Sequence, residues 1–312
     1  MTLSVICPCF NEEAYIRGLL EFFISAKPVE KELILVDGGS RDKTKSIIRE
    51  YQQNHRNIHL LDNPEKIVPY ALNKAIPLCK ADKIVRLDAH TKYAPDYFEK
   101  IIETFENVEA DIVGGPTRTA CKAPFQCAVA YAICTPFGVG NSQVHNVTYE
   151  GYSDSVTFGS WKKEIFTEVG MFDERLVRNQ DDEFHYRAKS KGKKIYQNPA
   201  IKLWYYPRSH LKGLFKQYYQ YGLFKPMVLK KVDSEIKLRH LIPSCFLLYF
   251  ISLPLAAISP LWLIPLALYL LLDVFFSLRA KGGLKVKLAA LLVYPALHVS
   301  YGAGFLRGLF RK

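Results

Sequence analysis

Acidic side chains nearly vanish from the last third of this chain. From Ile201 onward there are 3 Asp and Glu against 16 Lys and Arg, whereas the first 200 residues carry 27 against 26. Between Leu241 and Leu272 there is no charged residue of either sign. The basic residues flank apolar runs, with Lys230, Lys231, Lys237 and Arg239 on one side and Arg279, Lys281, Lys285 and Lys287 on the other. That arrangement fits the cytoplasmic face of a bilayer and its anionic lipids, and it argues against nucleic acid as the partner. The opening Met1-Thr2-Leu3-Ser4-Val5-Ile6-Cys7 has no basic leader, so no signal peptide is expected and the large domain is expected to stay in the cytosol. The seven cysteines show neither a zinc spacing nor a Cys-x-x-Cys pair, and are expected to be thiols in a reducing compartment. No Gly-x-Gly-x-x-Gly follows the first apolar run, which argues against a dinucleotide-dependent oxidoreductase.

The apolar stretch extends to Leu278 with only Asp273 interrupting it. A membrane span needs about 20 residues, so the stretch predicts a tight hairpin of two helices turning near Ser259-Pro260. A third segment, 288–306, is rich in small and aromatic residues and either spans or lies in the interface. A full third span would carry Arg307, Arg311 and Lys312 to the far side, against the positive-inside tendency. The reading is a cytosolic domain over 1–232, with an interfacial helix over about 211–230, and a membrane region over 241–306 with two to three helices.

The first half alternates between two periods. Strand-like runs at 3–9, 32–36, 58–61 and 83–87 alternate with helical patterns at 13–25, 42–54, 70–79 and 95–107, with Asp42 as an N-cap. This predicts a doubly wound α/β sheet, whose ligands bind beyond the carboxyl ends of the strands. The polar residues there are Asn11-Glu12-Glu13, Asp37-Gly38-Gly39-Ser40 and Asp88-Ala89-His90, expected to converge on one crevice. Beyond Ile112 the alternation loosens; a helix over 122–134 leads to a Gly-, Ser- and Asn-rich loop over 138–155, long enough to be an acceptor-binding lid.

Asp88 and His90, two apart in an extended segment after a strand, are placed to face one hard divalent cation, Mn2+ or Mg2+, on a diphosphate. Asp37 precedes a Gly-Gly turn that lets a ligand approach the backbone, and its carboxylate is expected to accept from a uracil imide or ribose hydroxyl. Asp181-Asp182-Glu183 crowds three carboxylates at a helix start, and crowding with desolvation raises the pKa of a candidate general base. Gln217-Tyr218-Tyr219-Gln220-Tyr221 interleaves amides and aromatics, suited equally to sugar and phosphate contacts or to an interfacial belt.

In order and spacing, these residues resemble those of family 2 glycosyltransferases, the inverting GT-A class, and more closely the membrane-attached exopolysaccharide glucosyltransferases of the succinoglycan type. Ile6-Cys7-Pro8-Cys9-Phe10-Asn11-Glu12-Glu13 is similar to the family's opening strand and turn, and Val36-Asp37-Gly38-Gly39-Ser40-Arg41-Asp42-Lys43-Thr44 to its nucleotide-binding turn. Asp88-Ala89-His90 sits at the metal-binding Asp-x-Asp, Val169-Gly170-Met171-Phe172-Asp173-Glu174 before the base, and Gln180-Asp181 at the Glu-Asp pair. The resemblance implies a GT-A catalytic domain in which Pro8, Asn11, Glu12, Asp37, Gly39 and Asp88 bind the nucleotide diphosphate sugar, UDP-linked in the first instance. Asp88 and His90 hold the metal, Asp181 with Asp182 beside it supplies the base, and Gln217, Gln220 and Tyr221 meet the acceptor or diphosphate. His90 replaces an acid, Gln180 another acid, and Gln220 the Arg of the Gln-x-x-Arg-Trp element, which favours a single transfer to a polyprenyl-linked glycan over processive polymerisation. Two alternatives stand beside it: an enzyme acting on polyprenyl phosphate or a growing polymer, and a non-catalytic membrane-anchored nucleotide-sugar-binding scaffold.

Overall fold

The computed structural model describes residues 2–140, 143–231 and 238–311. Lys237, Lys312, the expected domain edge at residue 232 and part of the expected lid, 141–142, lie outside the described residues. The chain runs β1 (Leu3–Cys9), α1 (Ile16–Ser25), β2 (Lys31–Asp37), α2 (Thr44–Asn54), β3 (Ile58–Asp62), α3 (Val68–Ala75), β4 (Lys83–Arg86), β5 (Lys92–Tyr93), α4 (Tyr97–Asn107), β6 (Ile112–Gly114) and β7 (Thr117–Thr119). It continues through α5 (Pro124–Ala132), α6 (Pro136–Val139), β8 (Gly151–Tyr152), β9 (Ser160–Lys162), α7 (Ile165–Glu168), α8 (Gln180–Ser190), β10 (Ile195–Gln197) and β11 (Leu203–Tyr205). The last helices are α9 (Leu211–Lys231), α10 (Leu238–Ile251), α11 (Ile264–Leu278) and α12 (Leu284–Leu309).

Two compact units result, and they divide the chain differently from the expected boundary. One comprises 1–118 and 143–205; the other comprises 119–142 and 206–312. The reason lies in packing: α5 and α9, expected with the catalytic domain, bury their apolar faces against α12, as Ala128, Val129 and Leu214 do beside Val293 and Leu297.

In the first unit an eight-stranded sheet has the order β3-β2-β1-β4-β9-β6-β10-β8. β1 pairs in parallel with β2 and β4, and β2 with β3, while β9 runs antiparallel between β4 and β6. A smaller sheet has the order β5-β11-β7. β1 and β2 are buried on both faces, as parallel strands with near-continuous apolar runs require. The period of two sorts their side chains: Leu3, Val5 and Cys7 join Leu19, Phe23 and Phe98 on one face. On the other, Ile6, Ile34 and Val36 join Leu72, Phe166 and Phe184. The mixed α/β GT-A architecture expected from the sequence is therefore the one observed. The expected lid differs, because β8 within it pairs antiparallel with β10. Gln197 Nε2 also donates to the carbonyls of Gln143 and Asn146 at 3.1 Å each, and residues 151–152 form the edge strand of the sheet.

In the second unit α9 and α12 pack so closely that only glycine fits at the crossing. A Cβ on Gly222 would lie 2.1 Å from the Tyr301 carbonyl oxygen, and one on Gly304 would lie 2.0 Å from that of Tyr219. Small residues at such crossings let backbones approach and maximise dispersion contact. Short 3-10 turns around Ser259 separate α10 from α11, where the hairpin turn was expected. Among the described residues, Pro260–Leu278 and Leu284–Leu309 are long and apolar enough to cross a membrane, with mean hydropathies of 2.1 and 1.4. The first is only 11% buried against protein and the second 50%, so the first presents an apolar surface that a soluble core helix would hide. The third segment is thus one continuous 26-residue helix. Cys121 and Cys127 are joined in a disulfide, contrary to the expectation of seven thiols, because the turn into α5 brings their Cα atoms to 5.0 Å.

Candidate functional site

The turns after β1 and β2 are stitched together by side chains. Asn11, at φ 55°, donates its N–H to Ser40 Oγ at 2.8 Å and accepts the Arg41 N–H on Oδ1 at 2.9 Å. The Glu12 N–H donates to Thr44 Oγ1 at 2.8 Å and the Glu13 N–H to Asp42 Oδ2 at 3.1 Å. Pro8 stands in β1 one residue before Cys9, whose register partner is Asp37. Gly39 takes φ 80°, which a side chain would strain.

Asp37 is held within its own turn. Its side chain is wholly buried, accepts the N–H groups of Gly39 and Ser40 at 2.9 Å each, and also accepts the Ser40 hydroxyl. Lys45 Nζ lies 3.4 Å away. A strand-end Asp followed by glycines satisfies its own turn, and Asp37 shapes this one. Cys9 is buried beside it and Cys7 two residues earlier on β1; burial first, then Cys9, Asp88 and Glu12 for Cys7 and Asp37, Glu12 and Asp42 for Cys9, pushes both thiols up, so neither is a nucleophile.

Beyond β4 the chain is held at Asp88. The Asp88 N–H donates to the Tyr93 hydroxyl at 2.7 Å, and that hydroxyl donates back to the Asp88 carbonyl at 3.2 Å. Burial, then Tyr97 and Asp88, pushes the Tyr93 phenol well above its usual range, so it stays protonated for this clamp. His90 Nδ1 lies 3.2 Å from Glu12 Oε1, joining the turns after the adjacent strands β4 and β1.

The α8 N-terminus reaches the same place. Asn179 takes φ 61° ahead of the helix, and Asp181, Asp182 and Glu183 occupy its first turn, where the helix dipole favours negative charge. Two of the three carboxylates are paired with arginines. Glu183 is fully buried against Arg187 at 2.8 Å, whose guanidinium also donates to the carbonyls of Val169 and Met171. Asp181 Oδ1 accepts from Arg86 Nη1 at 2.7 Å. Charge pairing, not like-charge repulsion, governs this turn.

Arg86 was absent from the candidate residues. It ends β4 at 4% exposure, with Nη1 on Asp181 and Nη2 3.3 Å from Asp88 Oδ1. Burial alone would lower its pKa; Asp181 and Asp88 outweigh burial and keep it charged. The signal was a lone arginine inside the apolar run Ile84-Val85-Arg86-Leu87, since buried charges are almost always paired. Arg86 thus joins Asp88 to Asp181, while His90 meets Glu12. Gln217, Gln220 and Tyr221 belong to the other unit, on α9, where Gln217 Nε2 donates to Tyr221 Oη at 2.9 Å.

Among the described residues no group of three or more His, Cys, Asp or Glu side chains forms a metal cage. Asp88 and His90 supply a carboxylate and an imidazole, donor types open to a divalent cation that keeps several waters and takes further ligands from substrate phosphates.

Residues 4–170 match the family described as glycosyl transferase family 2. The chain is similar to the succinoglycan biosynthesis protein ExoA of Rhizobium meliloti, 29% identical over 99% of this chain and 96% of that protein. It is equally similar, at 29% over 99% of this chain and 97% of the relative, to the dolichyl N-acetyl-alpha-D-glucosaminyl phosphate 3-beta-D-2,3-diacetamido-2,3-dideoxy-beta-D-glucuronosyltransferase of Methanococcus voltae. In fold it is similar to the mannosyltransferase PcManGT of Pyrobaculum calidifontis, solved in complex with GDP-Man and Mn2+, with a TM-score of 0.61, 17% identity, and coverage of 99% of this chain and 87% of that one. With its mixed sheet and its acidic residues gathered at the strand ends, this chain belongs to glycosyltransferase family 2 and is a glycosyltransferase of glycan synthesis.

Proposed function

We propose that this protein moves one sugar, with inversion, from a UDP-sugar to a lipid-linked saccharide on the cytoplasmic side of a membrane. The observation that carries the proposal is the placement of Asp88 and Asp181 on opposite arms of buried Arg86, beyond the carboxyl end of β4. In this reading the turns bearing Pro8, Asn11, Glu12, Asp37 and Gly39 seat the nucleoside. Asp88 and His90 would hold a divalent cation, which supplies charge neutralisation for the departing diphosphate. Glu12 beside Nδ1 would orient the His90 imidazole toward such a cation. Asp181 takes the proton of the acceptor hydroxyl as that oxygen bonds the anomeric carbon and the bond to the diphosphate breaks, its electron pair leaving with the phosphate. Gln217, Gln220 and Tyr221 are assigned to acceptor or diphosphate.

UDP is proposed from the resemblance to the succinoglycan-type enzymes. The lipid-linked acceptor is supported by the Methanococcus voltae relative, whose name specifies a dolichyl-linked sugar phosphate, and by the exposed apolar hairpin of α10 and α11. Within the helical unit Arg307 Nη1 donates to Tyr219 Oη at 3.0 Å. That bond favours the end of α12 and the polar helix α9 sharing one membrane side, so that Arg307 and Arg311 stay with the other cytoplasmic charges.

The test is calorimetric titration of the detergent-solubilised full chain with UDP and GDP, with and without Mn2+, on the wild type and Asp88→Ala. It is followed by transfer from radiolabelled UDP-sugars to a polyprenyl diphosphate saccharide, a polyprenyl phosphate and a soluble oligosaccharide. Mn2+-dependent UDP binding lost in Asp88→Ala, with label moving to the lipid-linked saccharide, is the expected result. Binding without turnover on any acceptor would instead establish a scaffold.

A further inference from the structure

Arg86 joins two acids that the proposed reaction assigns to opposite ends of the substrate pair, Asp88 to the donor diphosphate and Asp181 to the acceptor hydroxyl. The contact is built in. Arg86 is the last residue of β4, is 4% exposed, and lies over the Phe158 ring at 5.4 Å from its centroid. One arm meets Asp181 at 2.7 Å and the other meets Asp88 at 3.3 Å, and its Nε is buried without a hydrogen-bond partner. The guanidinium therefore has no solvent-facing alternative to these two carboxylates. It engages Oδ1 of each, which leaves the Oδ2 atoms for substrate.

We propose that Arg86 is a positioning residue that couples the two half-sites, so that loading of the donor end sets the orientation of the base. The proposal rests on the roles given to Asp88 and Asp181 above. The two contacts are unequal, and a rigid planar fork cannot shorten both independently. As Asp88 turns to a cation and a diphosphate, its longer contact to Arg86 weakens. The guanidinium would then be held on Asp181 by the shorter of its two contacts. Asp181 is in this way fixed with one oxygen engaged and the other available, after the donor is in place. Removing either acid gives the other a larger share of Arg86, which is a coupling free energy between the sites and is reciprocal.

The experiment uses the detergent-solubilised full chain. Arg86→Lys keeps the charge but cannot reach both acids in fixed geometry; kcat is expected to fall about 100-fold, as for a misplaced catalytic group, with the donor KM within about threefold. Because Arg86 variants can fail to fold, the second arm is Mn2+-dependent UDP binding to Asp181→Asn by calorimetry. Arg86 then falls back on Asp88, and Mn2+-UDP affinity is expected to weaken about fivefold, the lower end of site-to-site couplings, although Asp181 is not assigned to the donor. Unchanged kcat in Arg86→Lys, or unchanged Mn2+-UDP affinity in Asp181→Asn, overturns the coupling. Asp88→Ala is the control: if it binds Mn2+-UDP as the wild type does, the site reading itself fails, and the coupling with it.

Discussion

Replacing Asp181 with Asn removes a proton acceptor while leaving shape almost unchanged. In the structure Oδ1 of Asp181 accepts from Arg86 Nη1 at 2.7 Å. The amide oxygen of the substituted side chain can still accept there, but the amide cannot take a proton from an acceptor hydroxyl. General-base catalysis contributes about 10²–10⁴-fold, so kcat should fall by that factor, or about 3–5 kcal/mol of transition-state stabilisation. The fold should bear a smaller loss. One charge-assisted hydrogen bond becomes a weaker one, costing about 1–2 kcal/mol, because Arg86 retains Asp88 at 3.3 Å. For a unit of this size that is a fall in Tm of about 2–8 °C. The assay is single-turnover transfer of radiolabelled sugar at saturating donor, beside thermal unfolding of the same preparation. Asp182→Asn, one step of about 100° round the helix, is the companion and should retain most of the rate. An Asp181→Asn protein that turns over within threefold of wild type would refute the assignment of the base.

Three further outcomes follow from other contacts. Gly222→Val places a Cβ 2.1 Å from the Tyr301 carbonyl oxygen and should destabilise the helical unit by about 1–3 kcal/mol through overpacking, whereas Gly18→Ala in α1, with nothing within 4 Å, should stabilise by about 0.5–1 kcal/mol; thermal unfolding of both with the same sign would refute the packing argument. His90→Ala should weaken Mn2+-dependent nucleotide binding about tenfold or more, and calorimetry showing equal affinity would remove His90 from the donor set. His185 is buried, with Nδ1 2.8 Å from Ser155 Oγ; burial lowers its pKa, outweighing Asp181 and Asp182 which raise it, with Arg86 adding to the lowering. The folded imidazole therefore stays neutral while the unfolded one protonates below about pH 6.5, so stability should drop as pH falls through that value and on toward the folded pKa. Tm measured from pH 7.5 to 5 should decline more steeply in the wild type than in His185→Gln, and parallel slopes would exclude His185 as a source.

Local chemistry made much of this protein readable before any tertiary contact was known. Continuous apolar runs such as Leu3–Cys9 announce strands covered on both faces, and Asp88 and His90 follow such a run because ligand-facing groups in this architecture stand at strand ends. The helix break near Ser259 was legible because Ser259-Pro260 interrupts the apolar stretch. Partners distant in sequence were not legible. Nothing in the local sequence of Asp181 names Arg86 as its partner, and three adjacent acids look like mutual repulsion until Arg86 and Arg187 arrive from a distant strand and from the next turn of the helix. Nor does the local sequence show that the Gly39 and Ser40 N–H groups close on the Asp37 carboxylate. The allegiance of α5 and α9 to the helical unit depends on contacts between segments far apart in sequence, such as Gly222 with Tyr301. Sequence alone determined which segments are strands, helices and apolar spans, since those follow from periodicity and solvent transfer; tertiary structure decided which charges neutralise one another, because pairing depends on distances that only the folded chain sets.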